Sequence, residues 1–171
     1  MEGNSSISGN TGGGVFVAGG GTFYMNGGSI FGNEALDGGG VLVNSGTFYM
    51  NGGSISGNIS NSDGGGVYVE VGGTFYMNGG AISGNTTTMN GGGVTVAGTF
   101  CMINGTIVGN SDYNGLTKNT ISLIGMGSGG AALYISSGSA TYGPNGTEND
   151  ILPATTDITD ATIRVVNGVM Q

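Results

Sequence analysis

The sequence has no histidine and no tryptophan, and among its 171 residues it has one cysteine, two prolines and two cationic side chains. A lone Cys101 excludes an internal disulfide, and without histidine no Cys/His metal site can be assembled. Ten acidic residues face only Lys118 and Arg164, for a net charge of −8. No basic patch exists to neutralise phosphates, so neither nucleic acid nor an anionic membrane is an expected partner. No apolar run approaches the ~18 residues that a bilayer-spanning helix needs. Met1-Glu2-Gly3-Asn4 opens no signal peptide, because no apolar stretch follows it. With few charges and abundant Ser, Thr, Asn and Gly, the expectation is a piece of a longer or processed chain located outside the cell or on its surface.

What is abundant is glycine, 41 residues, without the G-X-Y period of collagen. Hydrophobic residues make up 37% and fall at ordered positions, which argues against disorder. Glycine triplets begin at Gly12, Gly38, Gly64 and Gly91, spaced by 26, 26 and 27 residues. A period of that size signals a solenoid or array. After each triplet come Val15/Val17, Val41/Val43, Val67/Val69 or Val94/Val96. Then come Phe23/Met25, Phe48/Met50, Phe75/Met77 or Phe100/Met102, and finally Ile30, Ile55, Ile82 or Ile107. The first two segments alternate with period two, as strands do, and helical periodicity is absent.

Three short strands per repeat can be wound in two ways. Asn26-Gly27, Asn51-Gly52 and Asn78-Gly79 favour tight hairpins locally, which would give an antiparallel stack or a propeller blade. The strands are too short and too few per repeat for most blades. We therefore expect an all-β parallel β-helix of about five coils of ~25 residues, each residue lying ~4.8 Å from its copy. Val, Phe, Met and Ile then fill the interior, and Asn10, Asn33, Asn58, Asn85 and Asn110 form a corner ladder of side-chain amides. The repeats are assigned to residues 1–142, with an inserted loop at 111–128 expected to fold back onto the solenoid. Residues 143–171 are assigned to a C-terminal loop (143–160) and a capping strand, since terminal repeats must cover an open core.

The stretch Ile30-Phe31-Gly32-Asn33-Glu34-Ala35, followed by Gly38-Gly39-Gly40-Val41, resembles the repeat of the polymorphic outer membrane protein family. Ile30, Ile55, Ile82 and Ile107 stand where that family often has Phe, and Gly-Gly-Val replaces its Gly-Gly-Ala-Ile. The likeness covers residues 1–110 and, in part, 129–142. It implies a right-handed parallel β-helix in surface-exposed or secreted bacterial proteins, often linked to adhesion.

Two outward columns are candidate ligand-binding strips: Tyr24, Tyr49 and Tyr76, ended by Cys101; and Phe16, Leu42, Tyr68, Thr95 and Tyr134. Exposed aromatic columns can stack sugars or dock a protein; the competing reading is that they only stabilise a sheet face. Asp37 and Asp63, with Asn90 next in line, are candidate Ca²⁺ ligands, since carboxylate and amide oxygens suit that ion; the competing reading is solvated turn residues. Neither Lys118 nor Arg164 lies beside them in a repeat, so catalysis is not expected and no cofactor is required. The expected function is a non-enzymatic structural or adhesive module that binds glycan or protein. The alternative is a polysaccharide-active lyase or hydrolase on the same fold. Only Met1 to Ser5 precede the first strand signal, so the N-terminal coil is expected to be uncapped, which calls either for more chain upstream or for contact with another molecule at that end, end-to-end self-association being one such contact.

Overall fold

The computed structural model describes residues 1–109 in full. Beyond them it describes the strands Thr120–Ile121, Leu133–Ile135, Ser139–Tyr142, Ile151–Leu152, Asp157–Ile158, Ile163–Val166 and Val169–Met170. The chain is an all-β parallel solenoid. After β1 (Ser6–Ser8), the first coil runs β2 (Val15–Ala18), β3 (Thr22–Met25), β4 (Ser29–Phe31) and β5 (Glu34–Ala35). The second runs β6 (Val41–Asn44), β7 (Thr47–Met50), β8 (Ser54–Ser56) and β9 (Ile59–Ser60). The third runs β10 (Val67–Val69), β11 (Thr74–Met77), β12 (Ala81–Ser83) and β13 (Thr86–Thr87). The fourth begins with β14 (Val94–Val96), β15 (Thr99–Met102) and β16 (Gly105–Ile107), and continues at β17 (Thr120–Ile121).

Each strand pairs in parallel with its counterpart in the next coil, copy over copy: Val41 with Val67, Phe48 with Phe75, Ile55 with Ile82. Hairpins at the Asn-Gly dipeptides are thereby ruled out. The second glycine of the turns at Asn26, Asn51 and Asn78 has positive φ, +83° at Gly28, +87° at Gly53 and +89° at Gly80. It also lies tight against the coil below: a Cβ on Gly53 would come within 2.8 Å of the Met25 Cε. Backbone freedom and close packing both require glycine there.

Coils contain four strands rather than three. The extra strand is only two residues long and follows the Asn corner, and these strands form a fourth sheet in the order β17-β13-β9-β5. A two-residue strand has no alternation to detect, so the pattern-based count stops at three.

The interior is a set of columns. Phe48, Phe75, Met25, Met50, Met77, Ile30, Ile55 and Ile82 are fully buried. Phe48 and Phe75 stack at 4.9 Å between ring centroids, and Phe75 and Phe100 at 5.0 Å. Such pairs add about 0.5–1.5 kcal/mol each beyond the area they bury. Met1 packs against the same core, and its backbone carbonyl accepts from the Asn26 N–H at 2.9 Å.

The corner ladder forms as expected from Asn10 to Asn85; Asn110 lies outside the described residues. The Nδ2 groups of Asn10, Asn33 and Asn58 donate to the Oδ1 of the next Asn at 2.9, 3.0 and 2.9 Å. Asn33 and Asn58 donate a second time, to the Ile7 and Ile30 carbonyls of the preceding coil. Each Oδ1 also accepts the backbone N–H of the Asn before it. Buried polar groups at the turn are satisfied within the column, which is what allows Asn33, Asn58 and Asn85 to be fully buried.

Toward the C-terminal end, β18 (Leu133–Ile135) and β19 (Ser139–Tyr142) continue two sheets in parallel. Antiparallel strands then follow: β20 (Ile151–Leu152) on β19, β21 (Asp157–Ile158) on β18, and β22 (Ile163–Val166) on β16, with β23 (Val169–Met170) on β22. Within 143–160, read from sequence as loop, Ile151–Leu152 and Asp157–Ile158 therefore pair as strands. Within the 111–128 insertion, Thr120–Ile121 pairs with β13; the rest of that insertion lies outside the described residues.

Candidate binding faces

The Thr-Phe-Tyr-Met segments of β3, β7 and β11 bury Phe and Met more deeply than Thr and Tyr, which face out. Their outer surface consequently carries a column of Thr22, Thr47 and Thr74, continued by Thr99 of β15, beside a column of Tyr24, Tyr49 and Tyr76. The phenol rings stack face to face. Centroids are 4.9 Å apart in both pairs, with planes 7° apart for Tyr24–Tyr49 and 10° for Tyr49–Tyr76. This geometry corrects one expectation from sequence. Because each Tyr covers its neighbour's ring face, Tyr49 offers a ligand its edge and hydroxyl rather than a platform for stacking a sugar. Tyr24, first in the stack, is the most open at 53% exposure. Cys101 takes the next rung and is buried.

A second amide column borders this face, and sequence reasoning missed it. Asn78 donates to the Asn51 Oδ1 at 2.7 Å, Asn51 to the Asn26 Oδ1 at 2.6 Å, and Asn26 to the Glu2 carboxylate at 2.6 Å. A carboxylate only accepts, so Glu2 fixes the donor direction along the whole column. That direction, toward the N-terminus, is opposite to the direction of the Asn10–Asn85 ladder. The signal was available: Asn recurs after each Tyr-Met pair at the repeat spacing.

The first sheet brings Phe16, Leu42, Tyr68, Thr95 and Tyr134 into one register. It does not make them a uniform strip. Phe16 is 64% exposed, Leu42, Tyr68 and Tyr134 are half-buried, and Thr95 is 1% exposed. The cause is the glycine that opens each later triplet. Gly38, Gly64 and Gly91 have φ of +60°, +66° and +61° and fold the chain back over the following strand. A Cβ at Gly64 would lie 2.7 Å from the Tyr68 Cβ, and one at Gly38 2.9 Å from Leu42. Thr95 is held under this fold-back, its hydroxyl donating to the Asn90 carbonyl at 2.8 Å.

Asp37, Asp63 and Asn90 occupy successive rungs at the same fold-back. The Asp63 N–H donates to the Asp37 Oδ1 at 3.2 Å. Asn90 donates both its backbone N–H and its Nδ2 to the Asp63 Oδ1, at 3.1 and 2.9 Å. Burial raises the Asp63 pKa above its ordinary 3.8, the Asn90 hydrogen bonds oppose the rise, and the Asp37 charge adds to it. The carboxylates thus act as ladder acceptors. Among the described residues no three His, Cys, Asp or Glu side chains gather into a metal-sized group.

Two further acid–amide pairs span adjacent coils: Asn61 donates to the Glu34 carboxylate at 3.1 Å, and Asn44 donates to Glu70. Compared with known protein families, with curated proteins and with solved structures, the chain matches none, so its function is read from the geometry of its own faces.

Proposed function

We propose that this solenoid is a non-enzymatic structural and adhesive module of a bacterial surface or secreted protein, of the polymorphic outer membrane protein repeat type. It binds neutral glycan through the Thr/Tyr face. The observation that carries this reading is the in-register stack of Tyr24, Tyr49 and Tyr76 at 4.9 Å, with threonines in register on the same strands. That face repeats uncharged hydroxyls at the coil spacing, and a hydroxyl-rich polymer offers matching donors and acceptors. A non-enzymatic role is supported by what the acids do: Glu2, Glu34, Asp37, Asp63 and Glu70 each accept a hydrogen bond from another coil. The reading calls for no cofactor. An extracellular or cell-surface setting rests on composition and on the resemblance of the repeat.

The test is a glycan array probed with the purified 171-residue chain and with the Tyr24→Ser/Tyr49→Ser/Tyr76→Ser variant. Retention on neutral glycans by the wild type, lost in the variant while circular dichroism stays unchanged, is the expected outcome. Equal retention by both proteins, or no retention on any glycan, overturns the proposal.

A further inference from the structure

The outer surface of the first sheet is chemically unlike the Thr/Tyr face. Its centre is apolar: Phe16, Leu42 and Tyr68 lie on successive rungs, with Phe16 exposed and the other two half-buried. Asp37 and Asp63 sit on one side of that strip, at the fold-backs that pack on Leu42 and Tyr68. Glu70 sits on the other side, just past the β10 strand that carries Tyr68, and is held by the Asn44 amide. The charges of Asp63, Glu70 and Asp37 all reach the Tyr68 phenol and, after its burial, raise its pKa above 10.0. Residues 1–109, which carry this face, contain no lysine or arginine to serve as a counter-charge. The amide partners of Asp63 and Glu70 satisfy hydrogen bonds without neutralising charge.

An apolar strip with carboxylates on both flanks is complementary to a chain that alternates apolar and cationic side chains. We propose that this face docks a basic polypeptide segment, an apolar side chain against Leu42 and Tyr68 and Lys or Arg groups against Asp63 and Glu70. A lysine or arginine stem can cover the Tyr68 ring while its head reaches a carboxylate. The site is separate from the Thr/Tyr face, so either proposal can fail alone.

The experiment titrates the full chain with a fluorescein-labelled peptide of alternating lysine and leucine, followed by fluorescence anisotropy at low and moderate salt. Three proteins are compared: wild type, Asp63→Asn/Glu70→Gln and the charge-matched Glu2→Gln/Glu34→Gln. An amide fits the Asp63 rung, since Asn90 occupies the next one, and Gln keeps an acceptor for Asn44. The expected result is binding by the wild type that weakens about tenfold in Asp63→Asn/Glu70→Gln and less than about twofold in the control pair. Tyr68→Ser, tested alongside, is expected to weaken binding with the charge unchanged. Equal losses in the two charge pairs, reflecting bulk charge only, would overturn the proposal. So would no binding by the wild type, or wild-type affinity for the same peptide with its lysines acetylated.

Discussion

Ile103 stands on the rung above Asn78, where the amide column that starts at Glu2 would place its next asparagine. The backbone alignment is direct: the Asn78 N–H donates to the Met50 carbonyl, and the Ile103 N–H donates to the Met77 carbonyl one coil on. The Asn78 Oδ1 is buried and has no hydrogen-bond partner among the described residues. The isoleucine side chain offers no N–H to fill it.

Ile103→Asn extends the column by one rung and satisfies that oxygen. It is expected to be more stable than Ile103→Ala, which leaves the oxygen orphaned, by about 1–2 kcal/mol. Urea denaturation of the two variants checks this. Equal midpoints would mean that Asn78 finds its partner in some other way.

The inward and outward assignments make a second prediction. Phe75 is fully buried between Phe48 and Phe100, whereas Tyr76, on the same strand, is half-buried in the outer stack. Phe75→Ala should cost about 3–5 kcal/mol, as deletion of a packed core aromatic does. Tyr76→Ala should cost much less, since it removes ring contacts at a wet surface. Denaturant melts that show equal losses would contradict the assignment of faces.

Most of the architecture is legible in the sequence because each coil repeats the same burial problem. Val, Phe, Met and Ile recur at fixed offsets, and only stacking in register lets Phe48 meet Phe75 and Asn33 meet Asn58. The fourth strand was missed because Glu34–Ala35 and Ile59–Ser60 are too short to alternate. The tyrosine column was legible as a column, but the direction its rings face was not. That direction depends on side-chain torsions, and it turns a supposed stacking platform into a row of edges and hydroxyls. The uneven Phe16–Tyr134 column arises from the positive-φ glycines at 38, 64 and 91, whose fold-back depends on the path of the chain rather than on residue type. The acid–amide pairs Glu2–Asn26, Glu34–Asn61 and Glu70–Asn44 join residues 24 to 27 positions apart, and they become visible only once the register is known.

Asp63 supplies a pH prediction. Its pKa in the folded chain lies above the ordinary 3.8, chiefly through burial. Between the two values the folded state binds more protons than the unfolded state, so ionisation of Asp63 costs stability as pH rises through that window. Asp63→Asn keeps the Oδ1 that accepts from Asn90 and removes the charge. It should be more stable than wild type at pH 7, and the difference should shrink as pH falls toward 3.8. Thermal melts of the pair across that range are the check; a difference that grows on acidification would reverse the sign of the argument.

Everything proposed for the outer faces depends on coils stacked copy over copy, and Cys101 offers a direct probe of that register. It pairs with Tyr76 on the adjacent rung, and Tyr24 lies two rungs beyond Tyr76 in the same column. In Tyr76→Cys the two thiols are on neighbouring strands, ~5 Å apart by sheet spacing, whereas in Tyr24→Cys they are ~15 Å apart. A short bifunctional bimane, fluorescent only when both arms have reacted, reads the difference in the purified 171-residue chain. Stacking in register predicts a fluorescent bridge in Tyr76→Cys and none in Tyr24→Cys. A bridge in Tyr24→Cys, or its absence in a folded Tyr76→Cys whose two thiols each react with a one-armed bimane, would contradict it.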